Sequence, residues 1–322
     1  MSNQGDRVVE SIKSVPIEKR SLDGELYDVM GGSSRWEVRV HDHGLVALVD
    51  VMPRLAPVGK MADYAIVQAA RVSYGEGTKA VQEDRGLIRY LARHRHTTPF
   101  EMIEFKFHVV MPIFVARQWI RHRTANVNEY SARYSIVPDR FYTPAVENIR
   151  KQSSANRQGG AGPIDDVTAR EFLDYLDAAK SRYAEYERLL ETGVARELAR
   201  IGLPLNVYTE WYWKCDLHNL LHFLSLRMDR HAQQEIRDYA VAMFALIEPI
   251  VPVAAEAFLD YQFEGVRLSR LEIEALRTGQ PLSVENRREQ AEWEEKKKHL
   301  GLGGTAPGLT GAESGTGSGP AR

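Results

Sequence analysis

The sequence predicts an α+β fold, and three observations predict it. Gly44–Met52 is a short apolar, β-branched run, whereas Glu104–Val110 alternates Phe105, Phe107 and Val109 against Glu104, Lys106 and His108; both have strand character. Several longer stretches repeat apolar residues at steps of three and four, the spacing of an amphipathic helix. The composition, 43% hydrophobic and 27% charged over 322 residues, is enough to bury a core in one large or two modest domains.

In chain order, residues 1–43 read as a polar arm and Gly44–Met52 as the first strand. Lys60–Ser73 reads as a helix with Tyr64, Val67 and Ala70 on one side. Gln82–Arg95 follows as a second helix, with Leu87, Tyr90 and Leu91 as its apolar face. Thr98-Pro-Phe-Glu101 has the form of a helix start: a capping threonine, proline at the first position and a glutamate able to close a capping box. Glu104–Val110 is the second strand, and Pro112 opens a helix running through Ile120. Lys151–Pro163, rich in Gly, Ser, Asn and Gln, reads as a mobile loop. Thr168–Glu191 reads as one long helix ended by Gly193, with Phe172, Leu176, Ala179, Tyr183, Tyr186 and Leu190 along a stripe. A short helix at Ala195–Ile201, a strand at Asn206–Lys214 and helices at Leu217–Arg227, His231–Ile250 and Val253–Phe263 complete the foldable part. Residues 44–282 are therefore expected to form one domain, followed at 283–322 by a charged and then Gly-rich disordered tail. Gly301-Leu-Gly-Gly-Thr-Ala306 imitates a dinucleotide fingerprint, but it follows a charged run and precedes Pro307, so it lacks the strand–turn–helix context.

Lys plus Arg number 42 and Asp plus Glu 44, a balance that argues against a polynucleotide-coating surface but permits one local anion site. The one cysteine, Cys215, excludes an intramolecular disulfide and a CxxC metal site, and fits a reducing, cytoplasmic setting. Met1–Ser14 lacks the apolar core of a signal peptide, and no stretch has the apolar length of a membrane span.

The chemistry is densest at Arg121-His-Arg-Thr-Ala-Asn-Val-Asn-Glu-Tyr-Ser-Ala-Arg-Tyr134. Arginine forks and a serine hydroxyl suit phosphate oxygens; Asn and Glu suit base or ribose edges. The bland alternative is a basic helix C-terminus favoured by the helix dipole, followed by a solvated turn.

The longer pattern resembles the signature of the flavin-dependent thymidylate synthases: Arg121-His122-Arg123, then Asn128, Glu129, Ser131, Arg133 and Tyr134 in register. Further blocks resemble that family in its order: Ala70-Arg-Val-Ser73, His96-x-Thr98-Pro-Phe-Glu101, Phe114-Val-Ala-Arg-Gln118-Trp119, Glu197-Leu-Ala-Arg200 and Arg227-x3-His231-Ala-Gln-x-Glu235. They span residues 44–262. One position departs, Asn126 standing where the family usually has serine.

The resemblance implies mixed helices around a small antiparallel sheet, a homotetramer with active sites shared between subunits, and reductive methylation of dUMP to dTMP. FAD carries the hydride, NADPH is the reductant and 5,10-methylenetetrahydrofolate gives the one-carbon unit. Carried over, Ser73, Thr98, Glu101, Arg121, His122, Arg123, Glu129, Asp216, His218, His222 and His231 contact FAD. Gln118, Arg121, Glu129, Tyr130, Ser131, Arg133, Arg200 and Arg227 contact dUMP. Arg227 lies against the uracil and His96 near the flavin and folate. An always-protonated guanidinium acts there electrostatically, not as a base. Nothing in Trp211-Tyr-Trp-Lys-Cys-Asp216 marks Cys215 as an activated nucleophile, and Ser131 has no base at a fixed offset.

Two other readings stay open on the residues alone. His218/His222 and His231/Glu235 are each four apart on expected helices and could give metal ligands, although a site needs three or four convergent groups. Arg117, Arg121, Arg123 and Arg133 with Trp119 and Tyr130 could serve a nucleic-acid-binding module.

Overall fold

A computed structural model describes residues 25–32, 35–72, 84–152 and 160–302. The chain forms two compact units, one ending at Phe263 and one beginning at Glu264.

The first unit is built on a five-stranded antiparallel sheet in the order β2 (Trp36–Val40), β3 (Gly44–Met52), β5 (Glu104–Pro112), β9 (Tyr208–Asp216) and β6 (Asn126–Glu129). Two short pairs flank it, β1 (Leu26–Asp28) with β4 (Leu55–Pro57) and β7 (Arg150–Gln152) with β8 (Gly160–Pro163). Cross-strand registry puts Leu48, Phe107, Trp213 and Val127 in one row and Val46, Val109, Trp211 and Glu129 in the next. Because strand side chains alternate, this one face collects the large apolar residues. The opposite face carries Glu37, Ala47, His108, Tyr212 and Asn128 across the same strands.

On the apolar face lie α3 (Ile113–Trp119), α7 (Leu217–Arg227) and α8 (Gln234–Ile247). Trp119, fully buried, stacks on Phe223 at 4.8 Å and meets the edges of Trp211 and Trp213 at 6.3 and 5.5 Å. Gly44 is required where β3 begins: a Cβ there would overlap the Tyr239 hydroxyl, which donates to the Val110 carbonyl at 2.9 Å. The helices α1 (Tyr64–Val72), α2 (Asp84–Arg93) and α9 (Pro252–Phe258) complete this core. A smaller core joins Val137 and Phe141 to Tyr183, Tyr186, Val207 and Ala199, the last of these on the short helix α6 (Arg196–Ala199).

Several sequence expectations change. The arm 1–43 contributes β1 and β2, the second of which is an edge of the main sheet; Trp36-Glu-Val-Arg-Val40 alternates apolar with charged residues, the period of a half-buried strand. In α2 the buried residues are Ile88 and Leu91, and Tyr90 is exposed. Thr98-Pro-Phe-Glu101 opens only a single 3-10 turn, Phe100–Met102, with no side-chain cap, because β5 begins two residues later. The flanks of the expected loop at 151–163 pair as β7 and β8; residues 153–159 lie outside the described residues. The long helix 168–191 is two, α4 (Asp166–Lys180) and α5 (Arg182–Glu191), joined at Ser181; Tyr183 and Tyr186 are buried whereas Phe172 is exposed. Gly193, at φ 88°, ends α5 as expected. The strand expected at 206–214 and the helix expected at 217–227 occur as β9 and α7, the strand displaced by two residues.

The second unit holds α10 (Arg270–Thr278), started by a Ser269–Glu272 capping box and stopped by Gly279 at φ 67°, and α11 (Arg287–His299). The charged segment, for which the sequence named no element, is helical: Trp293 is buried and Lys296 pairs with Glu272 at 2.7 Å. Residues 303–322 lie outside the described residues. Among the described residues no helix is long and apolar enough to cross a membrane.

Candidate functional site

The residues singled out by the sequence fall mainly into two groups, and β9 and the helix after it position both. At its first end, β9 pairs with β6, placing Glu129 opposite Trp211; Thr209, two residues earlier on the same face, donates its hydroxyl to Glu129 Oε1 at 2.7 Å. Beyond β6 the chain turns sharply. Tyr130 N–H bonds the Glu210 carbonyl at 2.8 Å, and the Ser131 carbonyl accepts from the amides of Tyr134 and Ser135. The turn faces the segment Glu197–Val207, which is tied to α3 by the amides of Ile113 and Phe114.

Between these walls lies a cleft of about 620 Å³ lined by Glu129, Tyr130, Ser131, Arg133, Arg200 and Thr209, with Ile113 and Leu203 among the apolar lining residues. Among the described residues neither Arg133 nor Arg200 is in an ion pair, although Glu129 and Glu197 also line the cleft. Two unneutralised guanidiniums and a hydroxyl in one concavity suit an oxyanion such as a phosphate.

The second group forms at the far end of α7. Asp216 caps that helix, accepting from the Asn219 amide at 3.0 Å, and Arg227 ends it. Arg227 Nε donates to His122 Nε2 at 3.0 Å. An arginine nitrogen can only donate, so Nε2 is unprotonated and His122 is neutral with its proton on Nδ1. The ring is wedged against Phe223 at 4.9 Å and faces His222 at 6.2 Å. Burial first, then the charges of Arg227 and His222, lower its pKa from 6.5 to about 4. Burial also lowers the pKa of Arg227, whose guanidinium is partly stripped of water.

These shifts set a pH dependence. His122 is depressed in the folded state, so between pH 6.5 and about 4 the unfolded chain binds the extra proton. Its contribution to stability is complete above the unfolded pKa and is lost as pH falls through that window. A nitrogen-detected NMR titration is expected to show His122 as the Nδ1–H tautomer at neutral pH with a midpoint near pH 4. A midpoint near 6.5 would show that the Arg227 bond does not persist in solution.

The remaining sites are more scattered. Gln118 donates to Gln233. Arg121 and Arg123 are exposed and, among the described residues, in no ion pair. His96 is exposed and stacked on Tyr90 at 6.0 Å; Thr98 is exposed and Glu101 half-buried. His218 is half-buried on α7. His231 precedes α8 rather than lying on it and is bonded to Asp229 at 2.9 Å, while Glu235 accepts from Tyr142 at 3.1 Å, so these two do not act as an i, i+4 pair. Among the described residues no group of three potential metal ligands converges. Ser73 lies outside the described residues. Asn126 sits in β6 opposite Lys214, exposed. Cys215 is buried, with its sulfur toward the Thr124 carbonyl and its thiol pKa pushed well up by burial; Lys214 pairs with Glu104 instead. Such a thiol is a poor nucleophile.

Sequence reasoning missed Thr209 and Glu197 as cleft residues. Thr209 was legible in part: on an alternating strand it shares a face with Trp211, Trp213 and Cys215, and a hydroxyl on so aromatic a face invites a partner.

A sheet-edge cleft with unpaired guanidiniums, beside a helix presenting a desolvated arginine held by a neutral histidine, defines an anion-binding α+β protein of the nucleotide-processing kind. The model of the thymidylate synthase complementing protein family matches residues 54–253. A flavin-dependent thymidylate synthase of Dictyostelium discoideum is 68% identical over 289 residues, covering 90% of this chain and 95% of the relative. One of Wolbachia pipientis wMel is 53% identical over 259 residues, covering 80% and 86%. Among solved structures, a UMP/dUMP methylase, PolB of Streptomyces cacaoi bound with 5-Br UMP, superposes with a TM-score of 0.60 at 35% identity over 70% of this chain and 98% of its own. The chain belongs to the thymidylate synthase complementing protein family.

Proposed function

We propose that the protein is a flavin-dependent thymidylate synthase that methylates dUMP at C5 to give dTMP. FAD is its flavin, 5,10-methylenetetrahydrofolate the one-carbon donor and NADPH the reductant. The observation that carries this reading is the cleft lined by Ser131, Arg133 and Arg200, with neither arginine in an ion pair among the described residues, within the stretch matched by the family model.

Ser131, Arg133 and Arg200 hold the phosphate and sugar of dUMP, and Glu129, fixed by Thr209, meets a donor on the ribose or base. Uracil C5 is a weak nucleophile, so the rate depends on stabilising negative charge as it develops on the ring. Arg227 supplies that stabilisation: its Nε is committed to His122, and its terminal nitrogens make no hydrogen bond or ion pair among the described residues. Partial dehydration strengthens the field of its charge. Arg121 and Arg123 present unpaired forks, and His122 and His222 present rings, a donor set that fits a flavin nucleotide. Bound flavin supplies the hydride, and the chain orients and neutralises.

The cleft does not include Arg227 among its lining residues, and exposed Ile201 and Leu205 lie at its rim. Both facts support an active form in which a neighbouring subunit completes each site, as in the homotetramer that the family resemblance implies; the single unpaired cysteine supports a reducing, cytoplasmic setting.

The deciding experiment is tritium release from C5-labelled dUMP with and without FAD and NADPH; release without flavin would overturn the reading. Ser131→Ala is expected to weaken dUMP binding about 10- to 100-fold, the cost of one hydrogen bond to a charged group, while chemistry survives. Complete loss of turnover with unchanged binding would make Ser131 a nucleophile instead.

A further inference from the structure

The cleft wall that carries Ser131 and Arg133 is irregular chain, yet it is unusually well tethered at its far end. Val137 N–H donates to Tyr186 Oη at 3.1 Å, and the Val137 carbonyl accepts from Tyr183 Oη at 2.7 Å. Both tyrosines come from one helix, α5, three residues apart, and both are buried, as is Val137. A single residue thus has both of its backbone polar groups satisfied by one helix face. Midway along the wall, Arg196 Nη1 donates to the Tyr134 carbonyl at 2.6 Å. At the near end Tyr130 closes the loop on itself through the Ile136 carbonyl at 2.7 Å.

An apolar core needs no phenolic hydroxyls: phenylalanine would fill the same volume without polar atoms to satisfy. The hydroxyls of Tyr183 and Tyr186 have one evident use, to hold the 130–137 segment in a single conformation. We propose that Tyr183 and Tyr186 are positioning residues for nucleotide binding. They act through Val137 to keep Ser131 and Arg133 in place, and Arg196 is a third tether. This rests on the reading that the cleft holds the nucleotide phosphate.

The energetic logic is preorganisation. If the segment samples open conformations, apparent affinity falls in proportion to the fraction that remains competent, whereas chemistry in the filled site is unchanged. Losing one buried hydrogen bond shifts such an equilibrium by about 2- to 10-fold. Neither tyrosine lines the cleft, so neither is expected to touch substrate.

The test uses FAD-loaded, full-length enzyme and dUMP as the probe, with calorimetric binding and steady-state kinetics for Tyr183→Phe, Tyr186→Phe, the double variant and Arg196→Gln. The double variant is expected to raise the dUMP Kd and KM about tenfold, with kcat at saturating dUMP within about twofold and FAD retained. Each single variant is expected to show a smaller shift of the same kind. Arg196 is exposed, so its substitution keeps the test open if the double variant does not fold. Wild-type dUMP affinity in the folded variants would overturn the proposal, as would a joint fall in kcat and FAD retention. Ser131→Ala, measured alongside, separates the two levels. If it leaves dUMP binding intact, the cleft assignment has failed; if it weakens binding while the tether variants do not, only the positioning role has.

Discussion

Arg227→Ala is expected to lower turnover of dUMP by about 10²- to 10³-fold, the range found when a preorganised donor to a developing oxyanion is removed, while FAD remains bound. The geometry explains why the loss falls on the chemical step. Arg227 pairs with no carboxylate among the described residues; its one bond is to a neutral imidazole, which orients the guanidinium without cancelling its charge. Arg227→Lys is expected to recover little, since an ammonium cannot be held at Nε while presenting a planar fork. Near-normal methyl transfer by the alanine variant would remove Arg227 from the mechanism.

The largest expected effect on stability is at Trp119. Its ring is fully buried among Trp211, Trp213, Phe223 and Tyr239. Trp119→Ala is expected to cost about 3–5 kcal/mol, the usual range for deleting a buried aromatic ring, read as the shift in denaturant midpoint at fixed protein concentration. Trp119 Nε1 finds no hydrogen-bond partner among the described residues, so Trp119→Phe removes volume alone and is expected to be milder. A loss for Trp119→Phe beyond what the removed ring volume explains would mean that the indole nitrogen has a partner in solution.

Both residues were within reach of sequence reasoning, for different reasons. Trp119 ends an apolar helix face in direct continuity with Arg121-His122-Arg123, and Arg227 stands in a spaced block whose order matches a family pattern. Local periodicity captured the strands Gly44–Met52 and Glu104–Val110 and the helix Leu217–Arg227, because each buries one face and its side-chain period reports that burial. It failed where burial is not periodic. The break at Ser181 leaves an apolar stripe continuous in sequence although Phe172 stays exposed and Tyr183 is buried. The helix Arg287–His299 rests on one buried tryptophan within a charged run, too sparse a pattern to oppose its composition. The Arg227–His122 and Tyr183–Val137 contacts join residues 105 and 46 positions apart, and no local pattern encodes such a pairing. The signature motif falls in the segment that lines the cleft; the tethers behind it came only with tertiary structure.

Tyr208–Asp216 is hydrogen-bonded along both edges, contributes two indoles to the interior, fixes the cleft glutamate at one end and caps the arginine-bearing helix at the other. Few residues could be inserted there without damage. Adding one would invert the inward–outward alternation beyond it, expelling an indole and dislodging the carboxylate anchor or the helix cap in the same event. Length variation among relatives is therefore expected to avoid this stretch.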